Sequence, residues 1–255
     1  MLKLLRLHVR TMIANSRFFF GIFLCWGIYM LGVMSWWYGT SILYLFGAST
    51  NFSSFTFLFP LCAVAPYSLC YLENKKNHMD YLILQRCSSR QYLNSLFVTT
   101  ALSGFLVMVF GTALFLATLP LFFPNAVLSY AESSGIIWPY MEDIAQKELW
   151  ISYFGMFAIL LGIAGALWAV MALVISTWID NLYAIFMMPI LVLYMLDHLL
   201  TLIHFYPLST LAFGAYFFES RTELFTYVLC AFVPLTGLCY ILFIVKGRRQ
   251  CRGCL

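Results

Sequence analysis

Charge is what this sequence lacks. Asp, Glu, Lys and Arg make up 9% of its 255 residues, against about 25% in soluble globular domains. A water-soluble fold must cover its surface with polar groups, so the shortfall excludes a soluble enzyme or binding domain. The deficit is also local. No charged side chain occurs across 18–72, 91–131 or 150–179, nor, Glu223 apart, across 222–245. A helix crossing the hydrocarbon needs roughly 20 apolar residues, so these runs read as membrane spans, some of them paired.

Other absences narrow the chemistry. There is no H-E-x-x-H, and Asp197 has no second intramembrane Asp to pair with, so no catalytic constellation assembles and a membrane enzyme is disfavoured. G-x-x-x-x-G-K-[ST] is missing too, so the chain cannot cradle nucleotide phosphates by that motif. No A-x-A-like site follows the first apolar run, which is too long for a signal peptide, and the first span is expected to be retained. Neither internal repeats nor low-complexity segments are found, and 1–255 reads as one transmembrane domain. The eight cysteines all fall outside the external loops expected below, so no disulfide framework is predicted. Cys251 and Cys254 form a lone C-x-x-C in a basic tail, more readily an inert pair than a zinc half-site. No metal site and no nucleic-acid partner are expected.

What is present is a six-span pattern, at about 18–38, 54–72, 92–119, 150–177, 182–202 and 225–245. Twelve of the 14 Lys and Arg residues lie before the first span, between the second and third, or after the sixth. Only Lys147 and Arg221 fall on the other side. Cytoplasmic loops collect Lys and Arg, so both termini are predicted inside a plasma or inner cell membrane. Two spans joined by "YGTSILYLFGASTNFSS" preserve that asymmetry, whereas three spans within 18–72 would spoil it. Pro60, Pro66, Pro189 and Pro234 sit inside spans, where neighbouring helices can re-satisfy the freed carbonyls. The fourth span carries Ala158, Gly162 and Ala166 at i, i+4, i+8, with Gly165 and Ala169 beside them. That stripe suits close helix packing, within the subunit in preference to between subunits.

Outside the spans, five segments stand out: an amphipathic start over 1–17, a polar island over 73–91, an acidic outer loop over 120–149, an apolar outer segment over 201–224, and a basic tail over 246–255. The outer segment, interrupted by Pro207 and Gly214, is expected to form short re-entrant helices split near Tyr206. In the island, Asn77 can cap a helix with Asp80 at N3. Met79, Ile83 and Cys87 recur at i, i+4, i+8, with Leu82 beside them, and Arg86 and Arg90 lie near the helix end, where positive charge suits the dipole. Such a short helix is marginal alone in water. It either lies on the membrane surface or docks in a partner's groove.

The start "LKLLRLHVR", the island "DYLILQRCSSRQYL" after Glu73, and the broken apolar segment before the last span together resemble the membrane subunit of a type-two ABC exporter. The exit into the third span, Ser89 and Arg90 through Leu93 with Tyr92 one place before it, is similar to that family's S-R-x-x-[YI]. The resemblance implies an all-α permease with six transmembrane helices and a cytoplasmic coupling helix. Met79, Leu82, Ile83, Arg86, Cys87 and Arg90 would be its contact with a separate ATPase. That ATPase would hold ATP and Mg, this chain itself carrying no cofactor. A second membrane subunit would complete the pathway. The competing class is a secondary transporter or channel. Such carriers use ionisable groups on broken helices, and here Asp197 and His198, near the outer end of the fifth span, are the candidates for a pathway or outer-mouth polar site. A carboxylate paired with His198 or His204, or reaching outward to water, is the plainer reading. An aromatic content of 19% suits amphipathic-peptide or lipid-like cargo, and equally suits lipid contact.

Overall fold

A computed structural model describes residues 2–34, 41–47, 49–50, 57–77, 79, 83, 85, 87–128, 139–202 and 218–253. The helices are α1 Leu2–Ala14, α2 Ser16–Met34, α3 Ile42–Gly47, α4 Phe59–Val64, α5 Cys70–Lys76, α6 Ser89–Phe122, α7 Glu142–Gln146, α8 Trp150–Ser176, α9 Leu182–Leu202, α10 Arg221–Tyr227 and α11 Val233–Gly253. Among the described residues the only β pairing is an isolated bridge between Ser41 and Val127. Among the described residues five helical segments are long and apolar enough to cross a membrane: α2, α6, α8, α9 and the run Arg221–Gln250. This architecture is compatible with a multi-pass membrane protein.

The bundle forms around α6 and α8. Small residues let their backbones meet: a Cβ at Gly104 would fall on the Gly165 carbonyl and 2.7 Å from Ala169 Cβ. One turn away, a Cβ at Gly162 would lie 2.8 Å from the Phe105 ring. The small-residue stripe of the fourth expected span is therefore spent inside the chain, since close approach maximises dispersion where lipid removes the hydrophobic drive. At Gly111 the same device admits α2, with a Cβ there 2.6 Å from Cys25. Beyond it lies an aromatic cluster. Tyr29 stacks on Phe115 at 4.7 Å between centroids, and Phe46 meets Phe157 edge-on at 4.6 Å. The Tyr29 hydroxyl bonds that of Thr112 at 3.1 Å, which satisfies a buried polar group.

Two expected features take another form. The second expected span is not one continuous helix. Pro60 opens α4, and at Pro66 the chain passes through turns until α5 begins at Cys70. Pro66 has no N–H to give the Cys62 carbonyl. That carbonyl instead faces Gly21 of α2, where a Cβ would lie 3.0 Å away. Even so α4 is central, packed by α2, α6, α8 and α9, with Phe59, Cys62, Ala63 and Val64 wholly buried. The expected outer loop after the first span also folds inward: α3 buries Leu43, Leu45 and Phe46 against the aromatic cluster.

The last apolar run begins with a proper cap. Ser220 Oγ accepts from Glu223 N at 3.3 Å while Glu223 Oε2 reaches back to Glu219 N at 3.1 Å, a capping box shifted by one residue. A π turn, Val228–Phe232, precedes Pro234. Proline's ring clashes with the carbonyl four residues back, and a wider turn relieves that clash without breaking the helix.

Candidate functional site

One end of the bundle gathers the basic segments. Arg17, at the start of α2, pairs with Glu73 of α5. Lys75 reaches Asp180 between α8 and α9 at 3.1 Å. Asn74 Nδ2 donates to Tyr92 Oη on α6 at 3.0 Å. In the last helix, Gln250 accepts from Tyr71 Oη at 2.6 Å and donates to the Thr177 carbonyl at 2.9 Å. Lys246 lies 4.2 Å over the Trp178 ring, and Tyr240 Oη donates to Asn94 at 3.0 Å. Helix starts and ends thus meet at a single face, tied by polar contacts that join α2, α5, α6, the α8–α9 turn and α11. The opposite end is joined differently: Arg221 of α10 pairs with Asp143 of α7 and donates through Nε to the Tyr140 carbonyl at 3.2 Å. The Arg221 hydrogen bond holds the exposed Asp143 carboxyl below its usual range.

The polar island is pinned at the basic face at both ends, by Glu73, Asn74 and Lys75 at its start and by α6 at its end. Asn77 closes α5, its N–H bonded to the Glu73 carbonyl at 2.9 Å, so it ends one helix where the sequence pattern gave it the start of another. Ser88, not singled out from sequence, caps α6, its Oγ accepting from Gln91 N at 3.4 Å. Among the expected contact residues, Met79 is exposed at 46%. Arg90 is exposed on the first turn of α6. Ile83 and Cys87 are half-buried against the protein's own core. The Cys87 thiol donates to the Ile83 carbonyl at 3.1 Å, and burial pushes it above its ordinary pKa. Leu82 and Arg86 lie outside the described residues, as do 203–217 of the expected re-entrant segment, with His204, and Cys254 of the C-x-x-C.

Asp197 is half-buried on α9 and His198 beside it is exposed; the Asp197 carbonyl accepts from Thr201 Oγ1 at 2.7 Å. They sit at the end of α9 away from the basic face. Among the described residues no group of three His, Cys, Asp or Glu could hold a metal ion.

A second constellation was missed from sequence. His8 on α1 is 6% exposed, and its Nδ1 lies 2.5 Å from Tyr67 Oη in the turn between α4 and α5. Tyr92 tilts over the same ring, with centroids 6.2 Å apart. Beside it is a cavity of about 240 Å³ shared by α1 (Leu7, His8, Thr11), the α4–α5 turn and the island residues Met79 and Ile83. The signal was available: Leu4, His8 and Met12 recur at i, i+4, i+8 on the apolar face of α1, an unusual place for an imidazole. No family model matches the chain, and neither a curated protein nor a solved structure matches it.

Proposed function

We propose that this chain is the membrane subunit of an ATP-driven exporter, working with a separate cytoplasmic ATPase and a second membrane subunit. The observation that carries the reading is the pinned island. A short polar segment, bracketed by α5 and α6 and cross-tied through Arg17 and Asp180 to α2 and the α8–α9 turn, presents Met79 outward. A push on such a segment is transmitted to several long helices at once, because polar ties and packed cores shift as units and do not deform continuously. The island then acts as the coupling helix, Met79 and Arg90 being its outward-facing contacts. In this reading the basic face is cytoplasmic and α4–α5 is a broken second crossing, giving six spans with both ends inside. The 20 residues of 57–76 would reach roughly 30 Å if helical throughout. Cargo is amphipathic or lipid-like.

A photo-crosslinker at Met79 tests the partnership in native membranes. The expected product joins the chain to a protein bearing a P-loop. Met79→Asp, at a side chain 46% exposed, is expected to abolish cargo-stimulated ATP turnover while the protein still inserts. An uncoupled chain that transports with Met79→Asp at the wild-type rate, or yields no ATPase adduct, overturns the reading. Impermeant labelling of Lys75 and Lys147 from the same side of the membrane would sink the topology.

A further inference from the structure

We infer that α1 is held to the bundle by an acid-sensitive latch: neutral His8 docks the helix against the α4–α5 turn, and protonation of its imidazole releases it. The inference stands apart from the transport reading. α1 rests on α2 and α6, with Met12 wholly buried and His8 nearly so, while Arg6 and Arg10 face outward. Tyr67 O–H donates to His8 Nδ1, which places the single ring proton of neutral histidine on Nε2, a tautomer assigned from this bond. Nε2 is buried and has no hydrogen-bond partner among the described residues.

Among the described residues the surroundings offer a cation no unpaired carboxylate. Tyr67 faces the ring from the α4–α5 turn and Tyr92 from α6, and Cys70, at the start of α5, lines the shared cavity; all three are neutral. The charged groups on the shared cavity are Arg17 of α2 and Glu73 of α5, and these pair with each other. A second ring proton therefore encloses a charge with one N–H unmet, which is costly unless water reaches it. The cavity beside His8 gives water a route, and displacement of α1 completes the solvation.

The linkage has a definite sign. Burial lowers the His8 pKa from its ordinary 6.5, so the docked form binds fewer protons than the released one. Docking is fully present above 6.5 and is lost as pH falls below it, by at most about tenfold in the docked-to-released ratio per pH unit. Because Met79 and Ile83 share the cavity with α1, release also strips the island of one wall.

The test is a distance measurement by pulsed electron resonance on the full chain in lipid nanodiscs. Spin labels go on noncanonical residues at Arg10 and Gln91, leaving the eight cysteines untouched. Between about pH 7.5 and about pH 5 the wild type is expected to pass from one short distance to a mixture with a longer one, the ratio falling about tenfold or more. His8→Gln, which can still accept from Tyr67 but cannot charge, is expected to hold one distribution across that range. Tyr67→Phe removes the hydrogen bond that holds the neutral docked form, so release should move to higher pH. A wild type insensitive to pH, a His8→Gln protein that responds as the wild type does, or a Tyr67→Phe midpoint unmoved overturns the latch.

Discussion

α8 and α9 are neighbours of similar apolar composition, yet 78% of the apolar window of α8 is buried and only 17% of that of α9. The difference lies in side-chain size. α8 carries Gly162, Gly165 and Ala169 on the face that meets α6, so backbone reaches backbone. α9 turns Tyr183, Met187, Leu191 and Met195 outward at i, i+4, i+8, i+12, each more than half exposed. In lipid an exposed leucine gains nothing by leaving hydrocarbon for a protein surface. Apolarity therefore says that both helices can cross, and the pattern of small residues says which is core.

The largest expected consequence is at Trp168, 1% exposed on α8. Trp168→Ala should cost about 3–5 kcal/mol through lost contacts and a cavity. Met195→Ala, 67% exposed on α9, should stay within about 0.5 kcal/mol. Unfolding by detergent titration compares them, and equal losses would break the contrast. Next comes Gly104→Ala. Its methyl meets the Gly165 backbone, which cannot rotate away as a side chain could, and about 3 kcal/mol should be lost. Gly155→Ala, where a Cβ has nothing within 4 Å, is the near-neutral control on the same pair of helices. A Gly104→Ala protein as stable as Gly155→Ala shows that α6 and α8 do not meet as closely as described.

Smaller effects sharpen the picture of the interior. Tyr29→Phe removes one buried hydroxyl while Thr112 keeps its bond to the Met108 carbonyl at 2.8 Å, so a loss of about 1 kcal/mol is expected, read in the same titration. A loss near zero would mean that the stacking on Phe115 alone places the ring. The smallest effect belongs to the surface pair at the other end. Asp143 has its pKa lowered from 3.8 by the Arg221 hydrogen bond. Its contribution is therefore present above that value and fades as pH falls through the lower folded one. Arg221→Gln should remove this acid dependence, its small cost appearing near neutrality and vanishing in acid. Persistence of the same acid sensitivity in the variant would assign it elsewhere.

Much of the bundle could be read from charge alone. The uncharged runs expected at 150–177 and 182–202 appear as Trp150–Ser176 and Leu182–Leu202, because Glu148, Asp180 and Asn181 mark places where the chain must meet water. The third expected span, 92–119, is the middle of Ser89–Phe122; its extra turns carry Ser89, Arg90 and Gln91, which an apolarity criterion leaves out. What could not be read was continuity. Pro60 and Pro66 were visible, but whether a proline bends a helix or interrupts it depends on what packs beside the freed carbonyl, and here Gly21 of another helix lies against it. The inward fold of α3 was equally hidden, since Phe46 finds its partners in α2, α6 and α8. At the candidate site, the island was legible as a polar interruption. Its division into an outward Met79 and inward Ile83 and Cys87 was not, because one amphipathic stripe looks the same whether it faces a partner or its own bundle.

By itself the sequence determined that this chain carries long helices apolar enough to cross a membrane and that its basic residues cluster at three points along the chain. Both follow from local composition, for a charge is costly in hydrocarbon wherever the chain runs. Only the tertiary structure decided that those three points share one face, that α8 is core while α9 is rim, and that His8 meets Tyr67. Each of these joins residues far apart in the chain, and none is fixed until backbones approach closely enough for glycine to matter.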